Sequence, residues 1–275
     1  MQENYFCKEE YAKYLREKDL SDTTISKYLS DIESFFVFSK NRTLSKALVL
    51  EYKNKLLKNH KPTSVNSYLI SLNGYFKWCG CEELSVKLIK IQKIFFVENE
   101  FSLNNYRRML EICMASPDDY KWYLIMRCFG MLGIRVGELK FINCKAVSEG
   151  IAKIYFKSKI RTIIIPEELA QLLAGYCVSN NIKSGCIFTD KKGTKPIDPS
   201  VVWRNFKRIA KKAEIEAESV YPHNFRHLFA RTYLEHFNNI AELADILGHS
   251  SIDTTRLYTL SSKEQQRKRI CSLGL

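Results

Sequence analysis

Apolar residues in the first ninety positions recur at steps of three and four, a spacing that suits helices and does not suit strands. Tyr11, Tyr14 and Leu15 open the series, and Ile25, Tyr28, Leu29, Ile32, Phe35 and Phe36 continue it. Ser21 or Thr23 is placed to cap the second helix. A third helix is predicted over 46–58. Pro62 opens a fourth, with Val65, Tyr68, Leu69, Leu72, Phe76 and Trp78 as its apolar face.

The pattern breaks around 90–100, and Ser102 then caps a new helix over 103–114. This divides the chain into domains 1–95 and 96–275. Beyond the break, helix is predicted over 118–132 and from 136 to about 140. Two β-branched or aromatic runs, 151–156 and 161–165, flank Lys157-Ser158-Lys159-Ile160 and read as a hairpin. Pro166 starts another helix, and later ones follow Asp198, Pro222 and Asn239. The expected fold is mainly α: a helical domain, then a mostly helical α+β domain with a small antiparallel sheet.

Composition narrows the function. At 275 residues, 45% apolar and 27% charged, the chain can bury a real core and is not of the disordered class. No apolar run of about 18 residues appears, so no membrane span is expected. The start, MQENYFCKEE, lacks the basic flank and apolar stretch of a signal peptide. Nine scattered cysteines fit reduced thiols and a cytoplasmic location, and Cys79 and Cys81 form only a C-x-C, short of a metal site. The 43 basic and 30 acidic residues leave a net charge of +13, which points to a polyanion such as nucleic acid. Residues 1–95 hold 16 basic against 11 acidic, and the remainder 27 against 19, so both parts are basic.

Four segments carry candidate chemistry. In Gly133-Ile134-Arg135-Val136-Gly137-Glu138-Leu139, two glycines set Arg135 in a sharp turn after an apolar helix. In Tyr221-Pro222-His223-Asn224-Phe225-Arg226-His227, proline places His223 in a first helical turn, three residues from Arg226 on one face. Free backbone N–H groups there, with a guanidinium, suit a phosphate. A capped helix with polar residues in water fits that segment equally well. Phe225, Leu228, Phe229 and Thr232 form a separate, inward face. His223 and His227 have zinc-ligand spacing, but a zinc protease needs Glu where Asn224 stands. In Leu247-Gly248-His249-Ser250-Ser251, Gly248 ends one helix, Ser250 or Ser251 caps the next, and Tyr258 follows His249 by nine residues. The fourth segment is the hairpin with Lys157 and Lys159.

In this order and spacing, the four segments resemble the tyrosine recombinases, the phage-integrase family of site-specific DNA recombinases. The resemblance covers nearly the whole chain: residues 1–95 as a SAM-like core-binding domain, 96–275 as the catalytic domain. It implies that Arg135 and Arg226 bind phosphate oxygens, that Tyr258 is the nucleophile forming a 3′-phosphotyrosine, and that Glu138 steadies an active-site arginine. His223 matches the first His or Lys position and is the general base; His249 matches the second, His or Trp, position and hydrogen-bonds the scissile phosphate. Lys157 is the expected general acid for the 5′ leaving oxygen, with Lys159 the alternative. The glycines usual in the family's hairpin are absent here. The resemblance implies no cofactor and no metal, because guanidiniums do the work that a metal pair does in nucleases. It further implies duplex DNA as partner and a homotetramer held by the tail after Tyr258, with Ile270, Leu273 and Leu275 as contacts. The chain has no room for the additional N-terminal arm-binding domain of many members.

The leading expectation is integration or excision of a mobile element. The alternatives are a Xer-type recombinase resolving replicon dimers, a non-catalytic DNA-binding accessory protein of the same fold, and, more remotely, a type IB topoisomerase-like enzyme.

Overall fold

The computed structural model describes residues 6–40, 42–91, 101–156, 159–249, 251–256 and 258, with 267, 271, 272 and 274; at 156, 159 and 253 it describes the backbone alone. The chain divides into two compact units, Met1–Lys93 and Ile94–Leu275.

The first unit contains α1 (Lys8–Glu17), α2 (Asp22–Ser39), α3 (Lys46–Asn59) and α4 (Pro62–Trp78). Ser21, rather than Thr23, caps α2, its hydroxyl accepting from the Thr24 N–H at 3.4 Å. Ser45 caps α3 and Pro62 occupies the first turn of α4. The three- and four-residue periodicity predicted these helices, and its residues Tyr11, Leu15, Ile25, Ile32, Phe35, Leu69, Leu72 and Phe76 form their shared core. A carboxylate sits inside it: Asp31 accepts from buried Ser71 at 2.7 Å and pairs with Lys27, so the charge is not left bare.

In the second unit Ser102 caps α5 (Leu103–Met114), accepting from the Asn105 N–H at 3.1 Å. A 3-10 turn, Pro117–Asp119, leads into α6 (Tyr120–Leu132). Leu124, Ile125, Met126, Cys128 and Phe129 of α6 have no exposed surface, the pattern of a helix enclosed on most sides. After α6 come a 3-10 turn (Val136–Phe141), α7 (Cys144–Glu149), strands β1 (Ile151–Phe156) and β2 (Lys159–Ile164), and α8 (Glu167–Ser179). Then follow α9 (Pro199–Lys212), α10 (Pro222–Phe237), α11 (Ile240–Leu247) and α12 (Ile252–Arg256).

Two local readings change. The segment from 136 forms a 3-10 turn rather than an α-helix, and α7, capped by Asn143 onto the Ala146 N–H at 2.9 Å, is not evident from periodicity because it is only six residues long. The hairpin is also tighter than predicted. Its antiparallel register pairs Phe156 with Lys159 and Ile151 with Ile164, so the connection is 157–158 alone. Pairing continues through Ile160 because that residue, like Thr162, Ile163 and Ile164, is β-branched, and two-residue connections match strand twist. Alternation sends Ala152, Ile154 and Ile163 into the core and leaves Tyr155, Ile160 and Ile164 exposed. Among the described residues no helix is long and apolar enough to cross a membrane.

Candidate active site

The site is assembled around two chain turns, one after α6 and one after α11. Gly133 ends α6 in the left-handed region, φ 58°, and a Cβ there would lie 2.5 Å from the Phe229 ring. Glycine is therefore required twice over, by backbone and by space. The chain then extends through Arg135 into the 3-10 turn, where Glu138 folds back. The Glu138 carboxylate accepts from the Arg135 backbone N–H at 2.7 Å and from the Arg135 guanidinium at 3.0 Å. Glu138 is 1% exposed, and Arg161, reaching in from β2, is its second cation. Burial pushes the Glu138 carboxyl up, but the Arg135 N–H and the two guanidiniums outweigh it and hold the group below the usual range.

Arg226 has no exposed surface. Its guanidinium donates to the Gly133 carbonyl at 2.6 Å and to the Leu247 carbonyl at 2.7 Å, joining the two turns. A third contact, 2.9 Å from Nη2 to His249 Nε2, fixes the histidine's tautomer. Arginine can only donate, so Nε2 accepts, and the ring proton sits on Nδ1, 2.7 Å from the Thr255 hydroxyl. Gly248, φ 64°, makes the turn that brings His249 round. Arg226 thus does not lie on a solvated polar face with His223. The helix start is enclosed on the Arg226 side, while His223 itself is exposed.

Tyr258, 7% exposed, packs with Ala230, Leu243 and Leu247. Its ring lies 4.9 Å from that of His227 and 6.0 Å from that of His249, the latter stacked at 15°. His227 in turn meets His223 edge-on at 4.4 Å. Burial and neighbouring cations hold all three imidazoles below their ordinary range. His227 is pushed down to about 4 by burial, His223 and Arg226. His249 also falls to about 4, through burial and then Arg226, Arg135 and Arg161. His223, though its surface is open, loses hydration to the protein packed around its ring, and this, then Arg226 and Arg135, lowers it. At neutral pH the imidazoles are therefore neutral and can accept a proton, whereas the arginines supply the positive field.

Of the residues singled out from the sequence, Arg135, Glu138, His223, Arg226, His249 and Tyr258 converge on this one site. Lys157 and Ser250 lie outside the described residues, as do the tail positions Ile270, Leu273 and Leu275. The Lys159 backbone is paired in β2 opposite Phe156.

Comparison with known proteins decides the family. The phage integrase family pattern matches residues 100–265, and the family's N-terminal SAM-like domain matches residues 9–82. The chain belongs to the phage integrase family. Among phage integrase relatives, tyrosine recombinase XerA of Pyrococcus furiosus is 28% identical, over 91% of this chain and 88% of its own. Tyrosine recombinase XerD of Staphylococcus saprophyticus is 27% identical, over 94% of this chain and 95% of its own. The solved structure of the Tn1549 transposon integrase in complex with a circular intermediate DNA superimposes with a TM-score of 0.73 at 16% identity, covering 96% of this chain and 98% of that one.

Three residues of this phage integrase site go beyond the motif reading: Arg161, His227 and Thr255. Arg161 has a sequence signal, since it pairs with inward-facing Ile154 and so places a charge on the buried side of an alternating strand. His227 stands four residues from His223, the same helix face, and draws notice only as a rejected zinc ligand. Thr255 has no sequence signal.

Proposed function

We propose that this phage integrase is a site-specific DNA recombinase that cuts and rejoins strands through a 3′-phosphotyrosine at Tyr258. The observation that carries this reading is the meeting of Arg226, His249 and Tyr258 in one enclosed cluster beside Arg135. Phosphodiesters resist attack because their oxygens repel nucleophiles, and Arg135 and Arg226 would neutralise the non-bridging oxygens as charge builds. A free phenol has a pKa near 10, so Tyr258 needs a proton acceptor, and neutral His223 fits that role. His249 would donate to the phosphate from Nε2 once Arg226 has moved onto the substrate and the ring proton has passed from Nδ1 to Nε2, the Thr255 hydroxyl then donating to Nδ1. Lys157 would protonate the departing 5′ oxygen, with Lys159 as alternative. Residues 1–95 would act as the core-binding domain and 96–275 as the catalytic domain, each basic part binding DNA phosphates.

The biological role we assign is integration or excision of a mobile element, carried out by a homotetramer linked through the tail. The names of the curated relatives XerA and XerD favour a second role, resolution of replicon dimers. The test of the core reading is a nicked suicide DNA bearing the recombination site. Wild-type protein should form an adduct that survives SDS, and no adduct on any genuine site would reject the reading.

The hairpin lysines separate in the same assay. Lys157→Ala should slow cleavage by roughly 10²- to 10⁴-fold, the usual worth of a general acid, while Lys159→Ala should have little effect. A 5′-bridging phosphorothioate leaves without a proton, so it should restore cleavage by Lys157→Ala. Rescue of Lys159→Ala instead would exchange the two assignments.

A further inference from the structure

Arg161 links parts of the site that no single motif connects. Its guanidinium holds Glu138 on one side and the Ile246 carbonyl on the other. Its stem lies against the Gly248 turn so closely that a Cβ at Gly248 would come 2.5 Å from Arg161 Cδ. Only 11% of the side chain is exposed, so it has no surface role of its own. The two last carbonyls of α11 are thus divided between two guanidiniums, Ile246 to Arg161 and Leu247 to Arg226. Cations at a helix C-terminus are favourable there, and both are fixed by it.

The division of Glu138 is the telling feature. One carboxylate oxygen, Oε2, receives the Arg135 backbone N–H and Arg161; the other, Oε1, receives a single Arg135 guanidinium nitrogen. Arg135 is therefore held by one arm, with 36% of its side chain exposed. Without Arg161, the carboxylate would be short of a partner in a site where unpaired buried charge is costly. The remedy available to it is the bidentate grip that arginine and carboxylate favour. That grip would turn the Arg135 fork inward, away from a phosphate.

We propose that Arg161 is a positioning residue for strand cleavage: by occupying Glu138 from the strand side, it keeps the Arg135 guanidinium presented to the scissile phosphate. The proposal rests on the recombinase reading above. Arg161 does not touch the phosphate; it acts through Glu138 on Arg135. The hairpin that carries Lys157 is pinned to the Arg135 turn by the same side chain.

The experiment uses the full chain, single-turnover cleavage of a suicide DNA, and a matched DNA whose scissile phosphate is a methylphosphonate. In the latter, methyl replaces a charged oxygen, so a guanidinium aimed at that charge matters far less. On the phosphodiester, Arg161→Ala should cleave about 10- to 100-fold more slowly than wild type, the scale of a misplaced catalytic group, with DNA affinity within about twofold. On the methylphosphonate the gap between the two proteins should close to about threefold. Arg161→Lys keeps the charge but not the fork, so it should show the same defect and the same closing of the gap. It also carries the test if Arg161→Ala does not fold, as judged by its thermal transition.

An equal defect on both substrates would reduce Arg161 to a structural strut and overturn the proposal. So would full activity of Arg161→Lys, which would leave only a charge effect, or full activity of Arg161→Ala. Absence of any adduct with wild-type protein is a different failure, that of the recombinase reading itself.

Discussion

Tyr258→Phe should abolish the covalent protein–DNA adduct on a suicide substrate while binding that DNA within about twofold of wild type. The substitution removes one oxygen and nothing else from a ring whose place is set by packing. Ala230, Leu243 and Leu247 surround it, and the rings of His227 and His249 flank it. With only 7% of Tyr258 exposed, its hydroxyl adds little to the surface that first meets DNA. The chemistry, in contrast, depends on that oxygen as the nucleophile. Uncatalysed attack on a phosphodiester is so slow that adduct should fall below detection, a loss of at least about 10³-fold. Adduct formation by Tyr258→Phe at the wild-type level would show that another residue carries the bond.

The second large effect is at Arg226. Arg226→Ala should slow cleavage by at least about 10²- to 10³-fold, the cost of removing one donor to a developing oxyanion. Binding to DNA should change far less, because an arginine with no exposed surface cannot steer the encounter. Arg226→Lys should recover little of the rate. It preserves a positive charge but cannot reach the Gly133 carbonyl, the Leu247 carbonyl and His249 from one planar fork. Gel-shift titration beside single-turnover cleavage checks this. Parallel loss of both would assign Arg226 to the fold rather than to the reaction.

Much of the fold was legible because local signals set it. Serine at 21 and 102 and proline at 62 and 222 act on the first turn that follows them, and periodic apolar positions need only one neighbouring helix. The catalytic candidates were legible as an ordered series that resembles a family, not as chemistry one could derive from spacing. What stayed hidden depends on tertiary contact. Arginine is ordinarily read as exposed, yet Arg226 follows buried Phe225 and is itself enclosed, because both turns offer it carbonyls. The hairpin was read two residues too long at its turn, since lysine and serine suggest a loop whereas pairing energy is cooperative along the strands. Thr255 could not be found at all, since its only distinction is the histidine it faces.

The enclosure of Arg226 also bears on how the protein melts. Its guanidinium Nε is buried with no hydrogen-bond partner, and burial, then repulsion from Arg135, pushes its pKa down from the ordinary arginine range to about 10. A cation with a lowered folded pKa binds its proton more tightly when unfolded. The unfavourable contribution of this group therefore lessens as pH climbs above about 10, and at neutral pH its whole cost is present. The DNA-free fold thus keeps an electrostatic debt that any anion lodged beside Arg135 would reduce. Sulfate should raise the melting temperature of wild-type protein more than chloride at equal ionic strength. The excess should shrink in Arg226→Met, which separates a bound anion from the general salting effect of sulfate. An equal shift in both proteins would refute it. Substrate, on this view, is a folding ligand as well as a reactant: the recombinase becomes most stable at the moment it holds the phosphate it is about to cut.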